Sequence, residues 1–362
     1  MQYTFLKDQD IIIKTPCKVE VKRGAIDIQG IEIKESEEIS INVSNTFTIT
    51  TLSDSTIETD CQILNVYETL GWVNIANNIA STRGKVIVLG ETDSGKTYFS
   101  NMLLNKLVNN SRLIDADVGQ SSLFIPTFVS SIASTKQTLY LRERGFDNLE
   151  FYGDITPSSN PRLHINLVLT LIEKSSEPLK IIDTDGWVRG FLAYRHKLEL
   201  IESINPDYII LFNENLKNNL PERLRQKIIF LKAPHVNKRT TEERRKRRSE
   251  LYRQYFKDAK EIAIDYEELL GTRISEKLSI AWGEPIYLDT EENCSGFYIN
   301  ELQGALLGVI KKGKVVGASL IKSLGYFITL LTPITDFDGL ILGKIALNFD
   351  YTERKIHMGL CL

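Results

Sequence analysis

Gly90-Glu-Thr-Asp-Ser-Gly95-Lys96-Thr97 decides how this chain folds. Ahead of it runs Lys85-Val-Ile-Val-Leu89, a short β-branched and aliphatic stretch, and behind it Phe99, Met102, Leu103 and Leu107 recur on one helical face. Strand, glycine-bounded loop and helix form the setting of a phosphate-binding P-loop. Gly90 and Gly95 let the backbone curl until its N–H groups point inward at an anion. The helix N-terminus adds partial positive charge. Lys96 reaches β- and γ-phosphates, and the Thr97 hydroxyl suits Mg²⁺. The nucleotide-binding segment is therefore Gly90, Glu91, Thr92, Asp93, Ser94, Gly95, Lys96, Thr97 and Tyr98. The bland alternative is a glycine turn that binds nothing, and the full eight-residue pattern in its proper setting weighs against it.

From this loop onward the chain alternates strand and helix. Val86–Leu89, Arg112–Asp115, Leu149–Gly153, Lys180–Asp183, Tyr208–Asn213 and Lys227–Lys232 read as strands, and 97–108, 161–174 and 194–204 as the helices between them. That alternation predicts an α/β fold with a mostly parallel sheet covered on both faces. A helix over 71–83, striped by Trp72, Val73, Ile75, Ala76 and Ile79, leads into the loop. The predicted core spans 71–275. Residues 1–70 alternate apolar and polar side chains, as in Ile11–Thr15, Cys17–Arg23 and Phe47–Thr51, and read as a small antiparallel sandwich. Residues 276–362 return to β, with a hairpin turning at Lys312-Gly313 and strands at Phe327–Leu331 and Gly339–Leu347. Three domains suit a length of 362 residues.

Bulk properties narrow the function classes. With 42% hydrophobic and 25% charged residues the chain reads as globular, and a net charge of −3 excludes a simple polycation. Nucleic-acid affinity would need a local basic patch. Cys17, Cys61, Cys294 and Cys361 show no C-x-x-C pairing. That spacing argues against a zinc site or a disulfide framework and fits a reducing compartment. No cationic leader runs into an apolar segment, and no apolar run is long enough for a membrane helix. A cytoplasmic protein is expected, or a nuclear one in a nucleated cell.

Three further stretches carry candidate chemistry. Asp115-Ala-Asp117-Val-Gly-Gln120 ends a strand, and in a parallel sheet the strand C-termini share the crevice of the P-loop. Carboxylates there hold Mg²⁺ or accept a proton from an attacking hydroxyl. Asp117 is the better candidate base and a metal ligand alongside Thr97, with Gln120 orienting metal or substrate. Lys180-Ile-Ile-Asp183-Thr184-Asp185-Gly186-Trp187 sets an acid beside the phosphates, and Trp187 past a strand end suits base stacking as well as it suits core. Finally, 238–256 crowds Lys238, Arg239, Arg244, Arg245, Lys246, Arg247, Arg248 and Arg253 into one stretch, with Thr240 or Thr241 ahead of Glu243 as a helix cap. A charge run by itself favours a solvated face. Arginines held over a phosphoryl group in transfer are the functional alternative, and periodicity does not say which of them would enter the site.

Taken together, these pieces resemble the polynucleotide 5′-hydroxyl kinase family of RNA-processing enzymes. The resemblance rests on the P-loop, Asp115-x-Asp117-x-Gly-Gln120, Gly153-Asp-Ile-Thr-Pro157, Thr184-x-Gly186-Trp187 and an arginine-rich lid ending in Tyr255-Phe256. It implies transfer of the γ-phosphate of ATP, with Mg²⁺ or another divalent cation, to the 5′-hydroxyl of RNA, DNA being a further candidate. By the same resemblance Lys96 and Thr97 handle phosphates and metal, and Asp117 acts on the hydroxyl beside Gln120. Thr184, Gly186 and Trp187 clasp the nucleic acid, aided by Arg244, and Arg248 and Arg253 align with the lid arginines. Protein partners in RNA processing belong to the same expectation. Glu91 departs from the proline usual at its position, and the compact size is closer to archaeal members. A non-catalytic ATP-bound scaffold is the alternative. A GTPase is a third reading, from Asp183-Thr-Asp-Gly186 and Asn237-Lys238-Arg-Thr240, but the guanine-recognising acid is missing there.

Overall fold

The computed structural model describes residues 1–233, 239–264 and 302–356, together with the backbone of 278–280, 295–297 and 358–360. The expected boundary near 275, the pair Asn237-Lys238, and Cys294 and Cys361 fall outside the described residues.

The N-terminal stretch forms nine strands between Gln2 and Glu68 in two antiparallel sheets of four and five. Alternating side chains turn inward, so Ile11, Ile13, Val19, Val21, Ile26, Ile28, Ile49 and Ile57 are fully buried between the sheets. Cys17 and Cys61 are joined in a disulfide, with Cα atoms 4.9 Å apart. This corrects the reading of the cysteines. Forty-four positions separate the two along the chain, and only the antiparallel pairing of Cys17–Arg23 with Ser55–Thr59 closes that distance.

The sandwich docks on the P-loop helix, Lys96–Lys106. Tyr98 donates its hydroxyl to the Thr48 carbonyl across 3.2 Å. Asn105 donates to the Gln29 carbonyl, and Lys106 pairs with buried Asp27 at 2.6 Å. The helix is accordingly buried on its polar side too, at Ser100, Asn101 and Asn105. The sequence marks only the apolar stripe, because the second covering surface lies some seventy residues upstream in the chain.

Behind that helix stands the core sheet. Five parallel strands run in the order Ile228–Phe230, Tyr208–Leu211, Gly84–Leu89, Leu179–Thr184 and Ser111–Ala116. Successive side chains alternate between two cores. Ile87, Leu89, Ile114, Ile182 and Ile209 meet the helices Pro161–Glu173 and Phe191–Ile204. Val86, Val88, Leu113, Ile181 and Ile210 meet the helix Trp72–Ala80 and the P-loop helix. Two antiparallel strands, Phe128–Ala133 and Asn148–Phe151, extend the sheet. A single pairing of Leu149 with Val315 then joins it to the C-terminal strands. Those include the hairpin Ala305–Lys311 and Lys314–Leu324, which turns at Lys312 and Gly313, both with positive φ.

The lid helix, Thr241–Tyr255, crosses from core to C-terminal strands. Its start is a capping box: Thr240 accepts from the Glu243 N–H, and Glu243 accepts from the Thr240 N–H at 2.6 Å. Its far end is pinned by Tyr252 and Phe256, buried among Phe124, Phe128, Phe151 and Leu306. No helix among the described residues is long and apolar enough to cross a membrane.

Candidate active site

The parallel register brings the ends of three strands level. Val88 and Asp115 each pair with Asp183, so the P-loop, the Asp117 turn and the Trp187 turn open at one edge. Gly95 carries φ 100°, and a side chain there would collide with the Trp72 ring. At Gly186 an added Cβ would lie 2.6 Å from the Thr92 nitrogen. The clasp turn therefore packs directly on the P-loop, which only glycine permits.

Lys96 reaches back to the Glu91 carbonyl at 2.7 Å. Burial lowers its pKa, while Asp183, Asp117 and Asp185 around it oppose that shift. Thr97 donates its hydroxyl to Asp183 Oδ2 at 2.6 Å. The other oxygen, Asp183 Oδ1, is buried without a partner. Burial first, then Asp115 and Asp117 nearby, push Asp183 up to about 7 against the pull of Lys96. An orphaned carboxylate oxygen beside a hydroxyl and two more acids is a hard-oxygen donor set that fits Mg²⁺. Asp183 is thus the acid nearest the P-loop hydroxyl. The sequence-based choice of metal ligands paired Thr97 with Asp117 instead.

Asp117 holds its loop through Oδ1, which accepts from the Gly119 and Gln120 N–H groups at 3.0 and 2.8 Å. Burial, then Asp185, raise the Asp117 pKa, which favours proton uptake. Asp115 is fully enclosed and accepts from Ser121, Ser122 and Leu123. Gln120 donates to the Gly119 carbonyl and leaves its Oε1 buried and unpartnered, on the same turn as Asp117.

The remaining residues singled out from the sequence divide into those at the crevice and those turned away. Ser94 closes the loop onto the Glu91 carbonyl. Glu91 turns its carboxylate to Arg189, just past the clasp, and to Asn213, past the end of the strand Tyr208–Leu211, at 2.9 and 3.2 Å. Thr184 is fully buried and donates to the Val88 carbonyl, so it braces the strands instead of facing the crevice. Tyr98 belongs to the sandwich contact. Trp187 is half-buried, its ring 5.5 Å from that of His196.

The lid arginines also divide. Asp93 pairs with Arg239 at 2.8 Å and Arg244 at 3.5 Å, and Arg244 lies 3.4 Å from Thr92. Arg247 sits in the field of Asp117, Asp115 and Asp93, its pKa lowered chiefly by burial. Arg248 instead pairs with Glu353 at 2.5 Å, while Arg253 donates to the Asp350 carbonyl and lies over Tyr351. This corrects the placement that the family resemblance implied for Arg248 and Arg253. Arg247 and Arg248 flank Arg244 on opposite sides of the helix, about 60° and 40° away, so Arg247 lies toward the Asp117 and Asp115 carboxylates while Arg248 turns to Glu353 on the C-terminal strands.

Fold and site together define a P-loop phosphotransferase. The family model described as the mRNA cleavage and polyadenylation factor CLP1 P-loop matches residues 90–258. A polyribonucleotide 5′-hydroxyl-kinase of Pyrococcus furiosus is 24% identical, over 75% of this chain and 90% of that one. Another, of Methanocaldococcus jannaschii, is 26% identical over 76% and 81%. The polyribonucleotide 5′-hydroxyl-kinase Clp1 of Danio rerio is 32% identical over 48% of this chain and 43% of its own. A solved structure of wild-type Clp1p in complex with Pcf11p matches the fold with a TM-score of 0.65 and 16% identity, covering 96% of this chain and 97% of that one. The chain is thus similar to the CLP1 P-loop family over residues 90–258, and to archaeal polyribonucleotide 5′-hydroxyl-kinases over about three quarters of its length.

Proposed function

We propose that this chain moves the γ-phosphate of ATP to the 5′-hydroxyl of RNA. The observation that carries the reading is the convergence of Lys96, Thr97–Asp183 and Asp117 at one sheet edge, with the glycine of the clasp packed on the loop. The triphosphate lies along the loop N–H groups, and Lys96 exchanges the Glu91 carbonyl for phosphate oxygens. Asp117 takes the proton of the attacking hydroxyl. Trp187 stacks the terminal base and sets the hydroxyl in line. Arg244 exchanges the Asp93 carboxylate for the oxygens of the phosphoryl group in transfer, and Arg247 joins it there. Thr97 and Asp183 would hold Mg²⁺, which would supply charge neutralisation on the phosphates.

Two archaeal relatives named as polyribonucleotide 5′-hydroxyl-kinases support RNA as the substrate. The test is transfer of labelled γ-phosphate from ATP and Mg²⁺ to a 5′-hydroxyl oligoribonucleotide, with the deoxy version alongside. Label on the 5′ end, lost in Lys96→Met and Asp117→Asn, is the expected result. ATP that stays bound and intact beside the oligonucleotide would overturn the reading and leave a nucleotide-holding scaffold.

A further inference from the structure

Behind Trp187 lies a buried polar network that the transfer chemistry does not use. Lys197 is 0% exposed, on the inward face of the helix Phe191–Ile204. Its ammonium pairs with Asp185 Oδ2 at 2.5 Å, and Asp185 Oδ1 accepts the backbone N–H of Trp187 at 2.7 Å. Beside it, His164 Nε2 lies 2.8 Å from the Ala116 carbonyl, and His164 Nδ1 lies 3.2 Å from His196 Nε2. A carbonyl only accepts, so His164 carries its proton on Nε2. Its Nδ1 then accepts, and His196 must donate from Nε2. Both rings are neutral, because burial lowers their pKa values. The chain of contacts thus has one direction and two fixed ends. One end is the carbonyl of the residue before Asp117. The other is the His196 ring, on which the Trp187 indole lies tilted by 31°.

Burying a lysine, a carboxylate and two imidazoles is costly unless each is paired. A hydrophobic core at these positions would hold the two helices together equally well. What the polar version adds is orientation. One branch fixes the Trp187 backbone through Asp185 and Lys197, the other supports its ring through His196 and ties that ring to the Asp117 turn.

We propose that His164, His196, Lys197 and Asp185 are positioning residues for the nucleic-acid substrate: they hold the Trp187 stacking surface at a set distance from the base Asp117. The proposal rests on the kinase reading for its substrate. It acts on the 5′-terminal base and leaves ATP binding alone.

The test compares two 3′-labelled oligoribonucleotides, one with an ordinary 5′-terminal base and one whose 5′-terminal residue lacks its base, bound in the presence of a non-hydrolysable ATP analogue. His196→Ala should weaken the ordinary oligonucleotide about tenfold, the scale of one lost stacking contact. It should leave the abasic one and the ATP analogue unchanged, and His196→Phe should restore binding by replacing the ring. Equal weakening of both oligonucleotides, or loss of ATP affinity in step, would make the network plain packing and overturn the proposal. Lys197→Met should likewise weaken only the ordinary oligonucleotide, because it strands the Asp185 charge. Asp185→Asn/Lys197→Met should recover it, since an amide oxygen still accepts the Trp187 N–H. No recovery would remove the Lys197–Asp185 branch. Binding without phosphate transfer by the unaltered chain would overturn the kinase reading while this comparison still decides the network.

Discussion

Thr97 and Asp183 form the contact on which the metal chemistry turns. Asp183→Asn keeps an oxygen for the Thr97 hydroxyl, so the fold should survive. The variant should bind ATP equally with and without Mg²⁺, and transfer should fall by at least about a hundredfold, the scale of losing one transition-state charge contact. Titration of ATP binding against Mg²⁺ checks this, and a Mg²⁺ dependence that persists in the variant would move the metal to other ligands. The arginines separate in the same manner. Arg247→Ala should cost about a thousandfold in transfer with stability unchanged. Arg248→Ala should chiefly unfold, because it strands Glu353, which is only 4% exposed, and broken buried pairs cost about 3–5 kcal/mol. Comparable catalytic loss in both would mean that the lid rotates in the working state. Lys96 and Thr97 were legible from the motif alone. Asp183 was not, since four acids cluster near two strand ends and only the register says which one meets Thr97. Nor does a helix with arginine on nearly every side declare its facing.

At the scale of elements, the lid helix depends on its first turn. The stretch Glu242–Arg248 contributes almost no core, so Thr240 and Glu243 hold that turn by reciprocal bonds. Thr240→Ala should therefore fray the start of the lid while leaving Tyr252 and Phe256 in place. Amide exchange of the first two turns should quicken by about fivefold, corresponding to about 1 kcal/mol lost from the cap. Faster exchange at Tyr252 as well would mean the helix opens as one unit. Most strands and helices of the core were legible because period and punctuation agree. Phe128–Ala133 escaped because Phe-Val-Ser-Ser-Ile-Ala breaks alternation with two serines, both buried against the neighbouring strands. The burial of the P-loop helix on its polar side, at Ser100, Asn101 and Asn105, escaped because it is a property of two segments, and a window of residues reads only one.

The whole molecule responds to pH through groups that its core holds in the wrong ionisation state for water. His164 stays neutral in the fold down to about 4, and His196 is held lower still. The unfolded chain protonates its imidazoles near pH 6.5. Below that pH the unfolded state binds more protons, so the histidines' contribution to stability is complete above about 6.5 and is lost as pH falls toward 4. Each imidazole takes away about 1.4 kcal/mol per pH unit once the unfolded chain is fully protonated. Asp115, raised to about 6, and Asp183, raised to about 7, act in the opposite sense. They keep their protons in the fold after the unfolded chain has released them, so their contribution is present below pH 3.8 and lost as pH rises toward 6 and 7. The two effects overlap between pH 4 and 6.5, and the raw stability curve there should be shallow. Replacing the histidines with His164→Gln/His196→Leu removes one side of the balance. Urea unfolding between pH 7.5 and 5 should then show the variant losing less stability on acidification than the unaltered chain, or gaining some. Parallel slopes would place the imidazoles in water-exposed, ordinarily titrating surroundings, which the buried path from Ala116 to Trp187 does not allow.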